Sequence, residues 1–516
     1  MQRPDLITEI TGYQAATRPD QVAITCAGTD VTYRDLHLGS NRTANALRAA
    51  NLAPGARVAY LGKESVHYYD IAFGTAKSEA VLVPVNWRLT PAEVEHILRD
   101  AQVELVFAER ELVEIVERLR AGLPKLATIV ELDTATERGA GFERWRGGQS
   151  TVCALPDITP DTPFAQVYTS GTTGLPKGVV LPHRSFFTLR DVLETHAVDW
   201  FDLRPDDVSL IGLPGLNTAG LSWSMQGFTA GVTNVAMRMF VSQEAVDLVH
   251  RLGVTTTFVA PTMLAMMFAE PNASRAAFGS LRRVVYGGSP ISETLLLQCL
   301  DMIPGELLQA YSSTEAGNVV TVLPAVDHVV GSRLLASAGK PSPDVEVRVV
   351  DADGNPLPDG EQGQVCVRSP ALMLGYFNQP EATTKVLRDG WLRMGDVGYL
   401  DRGYLYLLDR VDDTIIVAGQ NVYPVEVENV LAAHPAVADV AVVGVPHPRW
   451  GESVQAFVVV RPGERVTARD LLLFVRGSLA DFKVPTGYEF VDSLPRNPMG
   501  KVLRRSLRTA LTPERS

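Results

Sequence analysis

A glycine-rich stretch at residues 168–182 constrains this chain more than any other. It reads Tyr-Thr-Ser-Gly-Thr-Thr-Gly-Leu-Pro-Lys-Gly-Val-Val-Leu-Pro and follows the mainly apolar residues 165–167. Glycine lets the backbone turn with positive φ and lets successive N–H groups approach one anion. The pattern therefore predicts a strand that opens into a polyphosphate-binding loop, with hydroxyl donors and the mobile charge of Lys177.

Two other interpretations of this loop compete with that prediction. A Walker loop requires lysine directly after the second glycine, whereas Leu175 and Pro176 stand between Gly174 and Lys177. A flexible surface turn with one solvated lysine agrees equally well with the composition. The choice depends on motifs further along the chain.

Length and charge narrow the class of protein. A chain of 516 residues exceeds a single core and predicts two or more domains. Its content of 46% hydrophobic and 21% charged residues is typical of soluble globular proteins. A net charge of -12 without a basic stripe argues against a nucleic-acid partner.

The cysteines and the chain start indicate a reducing compartment. The four cysteines are far apart in the sequence and predict neither a zinc site nor a disulfide framework. The first residues lack the apolar region of a signal peptide, and no apolar run is long enough to span a bilayer. We therefore expect a cytoplasmic protein without a transmembrane segment.

The first part of the chain alternates strand and helix patterns. Apolar runs at 58–62, 81–85 and 105–108 predict buried strands. Thr90 and Pro91, with Glu93 three residues after the cap, predict the start of a helix between the last two strands. Strand, helix, strand at this spacing indicates a parallel sheet with crossover helices.

The same pattern returns after the glycine-rich loop. It predicts strands at 208–212, 254–259 and 281–286. After the last of these, Ser289 as cap and Pro290 in the first turn predict the start of a helix. Because ligands bind at the carboxyl ends of parallel strands, we expect the Thr169 loop, the Gly287 turn and the Tyr311 segment to meet there.

The pattern changes from about residue 338. Valines alternate with polar residues at 345–349 and 365–367, and residues 399–405 are typical of a hairpin. These features predict an antiparallel β subdomain. A helix from Pro424 and strands near 440–445 and 454–460 predict a compact α+β domain at the C-terminal end.

Four separated motifs follow one another in a fixed order. They lie at 168–178, at 311–315 (Tyr-Ser-Ser-Thr-Glu), at 395–396 (Gly-Asp), and at 409–410 (Asp-Arg) together with 495–501 (Pro-Arg-Asn-Pro-Met-Gly-Lys). In this order the chain resembles the adenylate-forming family of acyl-CoA synthetases, adenylation domains and firefly luciferase over nearly its whole length.

The resemblance implies a reaction and a division of the chain. In that family a carboxylate attacks the α-phosphate of MgATP to give an acyl adenylate and pyrophosphate, and a thiol then displaces AMP. The implied fold is a large α/β N-terminal domain at 1–410, with parallel sheets, helices and a distorted antiparallel β subdomain. A small, mobile α+β lid at 411–516 would rotate between half-reactions about a hinge at Asp412.

The resemblance assigns the triphosphate to the glycine-rich loop. The β- and γ-phosphates would be held by Thr169, Ser170, Gly171, Thr172, Thr173, Gly174 and Lys177. Thr314 would donate to the α-phosphate, and Glu315 would ligate Mg²⁺, a hard cation that prefers carboxylate oxygen. A solvated surface lysine is the alternative for Lys177, and a charge at a helix N-terminus is the alternative for Glu315.

The nucleoside is assigned to three further segments. Asp396 has the two oxygens needed to accept from both ribose hydroxyl groups, and Arg410 would add a donor. The alternatives are an Asp-capped turn and an exposed ion pair. The adenine slot is matched by Tyr311 and by the turn containing Gly288, Ser289 and Pro290, with a buried core tyrosine as the alternative for Tyr311.

Lys501 is implied to be the catalytic lysine. The lysine at this place in the family bridges the substrate carboxylate and the α-phosphate, and one preorganised donor of that kind contributes roughly 10²–10³ in rate. A generic surface lysine in a basic tail is the competing interpretation.

The chain departs from the family pattern around the acyl group. Asn217 stands where the family has histidine, and Ser312 stands where it has glycine. These two residues and Gly317 are assigned to the substrate pocket, where polar side chains would suit an oxygenated or modestly sized acid. Alternatively, Asn217 and Ser312 hydrogen-bond to their own backbone.

The thiol acceptor has two candidates. The C-terminal stretch resembles that of aryl-CoA ligases, in which residues matching Trp450 and Phe482 flank the CoA nucleotide. However, Val484 replaces an arginine that binds CoA phosphate, with Lys483 as a substitute charge, and Ala418 replaces a glycine of the pantetheine tunnel. CoA is the expected acceptor, and the phosphopantetheine of an acyl-carrier protein is the alternative.

The sequence thus predicts a ligase that uses ATP and Mg²⁺ to activate a small carboxylic acid and that is compatible with a homodimer. Other classes on this fold are a nucleotide-binding regulator without catalysis and an oxygenase like luciferase. Amino-acid activation ranks lower because no acidic residue that would fix an amino group is evident.

Substitution of Lys501 by alanine should separate the two half-reactions. Because this lysine is assigned only to the attack on phosphorus, the variant should lose adenylate formation, measured as pyrophosphate release. It should still convert supplied acyl adenylate to thioester. An equal loss in both steps would contradict the assignment.

Overall fold

The structure is a computed structural model that describes residues 3–132, 141–169, 175–410, 413–417, 420–476, 478–496 and 502–510. Its strands in chain order are β1 (Val22–Cys26), β2 (Thr29–Thr32), β3 (Arg57–Gly62), β4 (Val81–Asn86), β5 (Leu105–Glu109), β6 (Thr128–Leu132), β7 (Pro163–Thr169), β8 (Lys177–Pro182), β9 (Val208–Ile211), β10 (Thr233–Ala236), β11 (Thr256–Val259), β12 (Arg283–Gly287), β13 (Glu306–Tyr311), β14 (Thr321–Leu323), β15 (Lys340–Pro341), β16 (Glu346–Val350), β17 (Gly363–Arg368), β18 (Gly375–Tyr376), β19 (Leu387–Arg388), β20 (Trp391–Asp401), β21 (Tyr404–Arg410), β22 (Ile415–Val417), β23 (Gln420–Val422), β24 (Val437–His447), β25 (Gly451–Val460) and β26 (Gly487–Phe490).

The α-helices surround and connect these strands. In chain order they are α1 (Ile7–Thr17), α2 (Tyr33–Ala49), α3 (Val66–Lys77), α4 (Pro91–Asp100), α5 (Arg110–Leu119), α6 (Phe142–Arg146), α7 (Thr188–Thr195), α8 (Thr218–Ala230), α9 (Ser242–Leu252), α10 (Pro261–Phe268), α11 (Glu293–Met302), α12 (Pro380–Val386), α13 (Pro424–Ala432), α14 (Ala468–Arg476) and α15 (Arg504–Ala510). Among the described residues, no helix combines the length and apolar composition needed to cross a bilayer.

In the described part of the chain the strands form four sheets. Sheet I has the order β18-β8-β7-β4-β3-β5-β6, and sheet II has the order β15-β14-β13-β12-β11-β9-β10-β1-β2. The centres of both are parallel, as the alternation of strands and helices predicted. Sheet III (β16-β17-β20-β19, with β21 on β20) is antiparallel, and sheet IV (β23-β22-β25-β24, with β26 on β25) belongs to the C-terminal part. The predicted fold class is confirmed, while the division at 410/411 stays a prediction.

Local signals in the sequence explain several of these elements. Helix α4 begins with a capping box, in which Thr90 Oγ1 accepts from the Glu93 N–H and the Glu93 side chain accepts from the Thr90 N–H. The hairpin β20–β21 turns at Arg402 and Gly403, which both have positive φ, as a two-residue hairpin turn requires. Both predictions are confirmed.

The predicted start of a helix at Ser289 is wrong. Helix α11 begins at Glu293, and the side chain of Ser292 accepts from the Leu295 N–H at 3.3 Å. The φ angle of Gly288 is 82°, so the chain turns away from β12 before it can enter a helix. Ser292 precedes a glutamate and therefore makes the better cap. Strands β11 and β12 also begin two residues later than predicted, at Thr256 and Arg283.

Helices α3 and α8 join sheets I and II. The ring of Phe228 lies 5.1 Å from that of Tyr69 and 5.3 Å from that of Phe73, and all three side chains are fully buried. Burial of one such side chain contributes about 1.5–3 kcal/mol. This aromatic contact fixes α8, whose first turn reaches the candidate site, against the helix that follows β3.

A buried lysine lies between α2 and α3. Lys77 is fully buried, and its ammonium donates to Ser40 Oγ at 2.8 Å and to Asn41 Oδ1 at 2.7 Å. The His37 ring lies 3.5 Å away. Burial lowers the pKa of Lys77 to about 7, because a charged ammonium loses its hydration there.

Replacement of Lys77 by methionine should change the pH dependence of stability. The unfolded chain binds more protons than the folded chain between about pH 7 and about pH 10.5, so the free energy of unfolding of the native protein rises with pH in this window. The rise is at most about 1.4 kcal/mol per pH unit, and Lys77→Met should lack it. Urea unfolding at several pH values measures this difference.

The exposed Lys125 provides the control. Lys125→Met should follow the native profile. A Lys77→Met profile parallel to the native one would mean that the buried lysine keeps an ordinary pKa.

Candidate active site

The base of the glycine-rich loop is a hairpin between β7 and β8. Thr169 lies opposite Lys177 in the antiparallel register, while residues 170–174, which include Ser170, Gly171, Thr172, Thr173 and Gly174, lie outside the described residues. The Lys177 ammonium lies 5.1 Å from the centre of the Tyr376 ring, within the range of a cation–π contact. The predicted phosphate-binding lysine is thus half-buried at the start of a strand.

Tyr376 connects this lysine to the predicted metal ligand. Its hydroxyl donates to Glu315 Oε1 at 2.9 Å. Burial, together with the nearby Glu315 carboxylate, raises the pKa of Tyr376 well above its ordinary value, so the hydroxyl stays protonated and able to donate. Lys177, Tyr376 and Glu315 therefore form a continuous row from sheet I to the segment after β13.

The predicted adenine and ribose residues also contact each other. The Tyr311 hydroxyl, at the end of β13 in sheet II, donates to Oδ2 of the buried Asp396 in sheet III. Arg410 lies opposite Asp396 in the β20–β21 register, and its side chain lies outside the described residues. The structure therefore brings the Tyr311 and Gly395-Asp396 motifs together, although they come from different sheets.

Thr314 is in contact with the first turn of α8. Thr218 Oγ1 donates to Thr314 Oγ1 at 3.2 Å. Asn217 is the N-cap of this helix, because its Oδ1 accepts from the Gly220 N–H at 3.0 Å. The residue assigned to the α-phosphate is thus held by the turn in which the chain departs from the family pattern.

The assigned substrate-pocket residues make local contacts. Ser312 Oγ donates to the carbonyl oxygen atoms of Ser313 and Asn318, and Asn217 caps α8, so both make the local hydrogen bonds of the alternative interpretation. Gly317 has a φ angle of 75°, and a Cβ atom there would lie 1.9 Å from the Ala371 carbonyl oxygen. Gly317 is therefore required for close backbone packing. The role of these three residues in acyl binding stays a prediction.

The turn after β12 has two differently placed glycines. A Cβ atom at Gly287 would lie 2.2 Å from the Ala310 carbonyl oxygen, so this glycine lets β12 and β13 approach. Among the described residues, no atom lies within 4 Å of a Cβ built on Gly288. The space beside Gly288, Ser289 and Pro290 therefore suits the predicted flat base, and the assignment stays a prediction.

The predicted CoA residues lie on the surface of the C-terminal part. Trp450 and Phe482 are exposed, and the Trp450 ring stacks on the His447 ring at 4.2 Å. The Lys483 ammonium donates to both carboxylate oxygen atoms of Glu426 at 2.7 Å. Val484 packs against the core of this part of the chain.

Several predicted residues cannot be placed. Lys501, the hinge residue Asp412 and Ala418 lie outside the described residues. Tyr376 and Thr218 were not predicted from the sequence. Thr218 directly follows Asn217, where the sequence differs from the family pattern, and this difference is a signal that could have identified it. Tyr376 is 61 residues from Glu315, and no sequence pattern indicates their contact.

Comparison with known proteins agrees with this arrangement. A model of the AMP-binding enzyme family matches residues 12–377, and a model of the AMP-binding enzyme C-terminal domain matches residues 426–501. The chain belongs to the AMP-binding family of adenylate-forming enzymes.

Relatives of this family member are similar along their whole length. The chain is 51% identical to the fatty acid–acyl-carrier-protein ligase ScoC of Streptomyces coeruleorubidus, over 98% of this chain and 97% of the relative. It is 37% identical to a feruloyl-CoA synthase of an Amycolatopsis species, over 96% and 97%. The ATP-bound structure of MatB from Rhodopseudomonas palustris has a TM-score of 0.89 and 30% identity, over 98% of each chain.

These comparisons confirm the predicted activity at the level of the reaction. The chain is an AMP-forming ligase that joins a carboxylic acid to a thiol. The assignment of individual residues to ATP, acid and thiol stays a prediction that the contacts above support.

Substitution of Tyr311 by phenylalanine should weaken ATP binding. The variant keeps the ring beside the predicted adenine slot but removes the donor that orients Asp396. A hydrogen bond to a charged group contributes about 1.5–3 kcal/mol, so we expect roughly 10-fold weaker ATP binding by isothermal titration calorimetry.

A second tyrosine–aspartate hydrogen bond provides the control for the Tyr311–Asp396 pair. Tyr404, which begins β21, donates to Asp327 Oδ2 at 2.7 Å, and neither residue is assigned to the nucleotide. Tyr404→Phe should bind ATP as the native protein does. If Tyr311→Phe bound ATP with native affinity, the assignment of Tyr311 to the nucleotide site would be wrong.

Proposed function

We propose that the chain activates a fatty acid with MgATP and transfers the acyl group to the phosphopantetheine thiol of an acyl-carrier protein. The proposal selects the alternative acceptor of the sequence analysis over CoA. It is supported by the similarity to the fatty acid–acyl-carrier-protein ligase and, above all, by the surroundings of Val484 and Lys483.

Activation of the acid is assigned to the residues that meet at the ends of sheets I, II and III. The Tyr311 segment and Asp396 would bind the nucleoside, and Lys177 with the glycine-rich loop would bind the β- and γ-phosphates. Thr314 would donate to the α-phosphate. Lys501 would neutralise the charge that develops as the carboxylate attacks, so that pyrophosphate can leave.

The surroundings of Glu315 fit a magnesium ion. Tyr376 donates to Oε1, and among the described residues no group donates to Oε2, so this half-buried carboxylate keeps an oxygen for a cation. No group of three acidic, histidine or cysteine side chains in the described ranges forms a separate metal site. Mg²⁺ is commonly bound by one or two carboxylates together with substrate phosphates, and when bound it neutralises phosphate charge.

The acceptor follows from what the C-terminal part offers to a phosphate. CoA carries a phosphate on its 3′ ribose oxygen, whereas the phosphopantetheine of a carrier protein has no nucleotide. The half-buried Val484 packs against the core and offers no guanidinium, and the charge of Lys483 is already engaged by Glu426. Of the two candidate contacts to the CoA phosphate, the one at position 484 is missing and the one from Lys483 is occupied. A carrier-bound thiol needs neither contact because it carries no nucleotide.

The acid is assigned to the fatty acids because the turn 214–217 adjoins apolar side chains. The Leu213 N–H donates to the Phe258 carbonyl oxygen at 3.1 Å, and the Trp223 ring lies 6.0 Å from the Phe258 ring. Because Asn217 Oδ1 and Ser312 Oγ make local hydrogen bonds, these two oxygen atoms do not favour an oxygenated acid. An aromatic acid, as used by the feruloyl-CoA synthase, is the competing substrate.

Acid and acceptor can be identified in two linked assays. Pyrophosphate release should be fastest with fatty acids in a panel that also contains ferulic acid. With the best acid, thioester should form with a phosphopantetheinylated acyl-carrier protein at a higher kcat/KM than with CoA. Because the 3′-phosphate is not recognised, CoA and 3′-dephospho-CoA should give the same low kcat/KM.

Restoring the phosphate contact should create a preference for CoA. In the double variant Val484→Arg, Glu426→Gln, an arginine is introduced and Lys483 is released, so kcat/KM for CoA should rise roughly 10-fold. The value for 3′-dephospho-CoA should not change. A native enzyme that already prefers CoA to both its dephospho form and the carrier protein would overturn the proposed acceptor.

A further inference from the structure

A buried carboxylate lies behind the candidate site. Glu64, between β3 and α3, is 3% exposed. The Tyr69 hydroxyl donates to its Oε1 atom, and the Gly215 N–H donates to its Oε2 atom at 3.0 Å. Among the described residues, no lysine or arginine side chain pairs with this carboxylate. Burial of a carboxylate without an ion pair is unfavourable, so the two hydrogen bonds are the contacts that stabilise Glu64 in its buried position.

Both backbone polar groups of Gly215 are hydrogen-bonded, the N–H to the Glu64 carboxylate and the carbonyl oxygen to a neighbouring tyrosine. The Tyr68 hydroxyl donates to the Gly215 carbonyl oxygen at 2.5 Å. A Cβ atom at Gly215 would lie 2.7 Å from Tyr69 Oη and 3.1 Å from Glu64 Oε1. Both backbone polar groups of Gly215 are therefore fixed by the segment that contains Glu64 and the first turn of α3, and only glycine fits between them.

Helix α8 connects Gly215 to the candidate site. Asn217 caps this helix, and Thr218 in its first turn donates to Thr314. A Cβ atom at Gly220 would lie 2.1 Å from the Pro214 carbonyl oxygen, so the first turn of α8 is packed directly on the turn 214–217. A shift of Gly215 would therefore move Thr218 and the Thr314 side chain with it.

We propose that Glu64 is a positioning residue for acid activation, whose carboxylate fixes the turn 214–217 and, through Thr218, the side chain of Thr314. The proposal concerns adenylate formation alone and does not depend on the identity of the thiol acceptor. In this way Glu64, in the loop between β3 of sheet I and α3, would act on the segment after β13 of sheet II that carries Thr314.

The proposal has a pH signature. Burial raises the pKa of Glu64 to about 7, while the hydrogen bonds from Tyr69 and Gly215 act in the opposite direction. Below this pH the protonated carboxyl group loses acceptor strength toward the Gly215 N–H. Adenylation should therefore rise with pH through about pH 7. The other titratable or charged groups around Glu64 are Cys26, Tyr60, Tyr68, Tyr69, Glu109 and Arg238.

Glu64→Gln tests the role directly. The amide keeps the shape of the side chain but offers a single acceptor oxygen where two donors converge. We expect kcat of acid-dependent ATP–pyrophosphate exchange to fall roughly 10-fold, with KM for ATP within about twofold of the native value. The rise of activity through about pH 7 should disappear.

Tyr69→Phe gives a second, milder readout. It removes one hydrogen bond that lowers the pKa of Glu64 but leaves the contact with Gly215. The rise of activity should therefore move to higher pH, and kcat at the new plateau should stay near the native value. If Glu64→Gln does not fold, this shift decides the question alone, because a merely structural tyrosine would not move the pH profile.

Glu109 provides the matched control. It is 2% exposed, pairs with Arg238 at 2.7 Å and accepts from the Lys63 N–H at 2.9 Å, but it does not contact the turn 214–217. Glu109→Gln should lose thermal stability while its pH profile of exchange keeps the native shape. Native exchange in Glu64→Gln, a loss matched by Glu109→Gln, or an unmoved pH profile in Tyr69→Phe would each overturn the proposal.

Discussion

Hydrogen bonds from tyrosine hydroxyls to acidic side chains connect the sheets at the candidate site. Tyr311 of sheet II donates to Asp396 of sheet III, and Tyr376 of sheet I donates to Glu315. A partly buried carboxylate needs a donor, and a neutral hydroxyl orients it without neutralising its charge. Donors without a positive charge suit the proposed roles of these carboxylates, which are to bind ribose hydroxyl groups at Asp396 and Mg²⁺ at Glu315. A lysine or arginine in place of either tyrosine would have cancelled the charge of the carboxylate.

Much of the fold could be predicted because its signals are local. The capping box at Thr90 and the two-residue turn at Arg402 lie within a few residues of the structure they determine. The error at Ser289 has the same origin, since two serines compete as helix caps, and the backbone turn at Gly288 together with Glu293 after Ser292 decides between them. The sequence patterns likewise predicted a parallel sheet, an antiparallel β subdomain and an α+β C-terminal domain, but not the neighbours of each strand.

The connections within the candidate site could not be predicted in this way. The motifs that carry Glu315 and Asp396 were recognisable, but the side chains that hold them are distant in sequence. Tyr376 is 61 residues from Glu315, and Glu64 is 151 residues from Gly215. Nothing in the periodicity near either residue distinguishes it from a core position. These contacts depend on how sheets I and II pack, which the chain determines only through tertiary structure.

The structure also shows a structural role for Asn217. At this position the sequence differs from the family pattern, which suggested a more polar acyl pocket. Its Oδ1 instead accepts from the Gly220 N–H, and asparagine is among the strongest N-cap residues. The difference therefore strengthens the start of α8, the same element that Glu64 holds through Gly215. As the N-cap, Asn217 stabilises the helix whose first turn contacts Thr314 through Thr218.

The same reasoning applies to the thiol acceptor. A nucleotide phosphate must be held by charges that the C-terminal part provides, whereas a carrier protein can contribute affinity through its own surface, away from the thiol. With a carrier protein as the proposed acceptor, no nucleotide phosphate would pair with a cation at position 484. A valine that packs against the core of this part contributes of the order of 1 kcal/mol to its stability instead. The Lys483 ammonium is already paired with Glu426, and this pairing supports the proposed carrier-protein acceptor because a CoA phosphate would have to compete for the same charge.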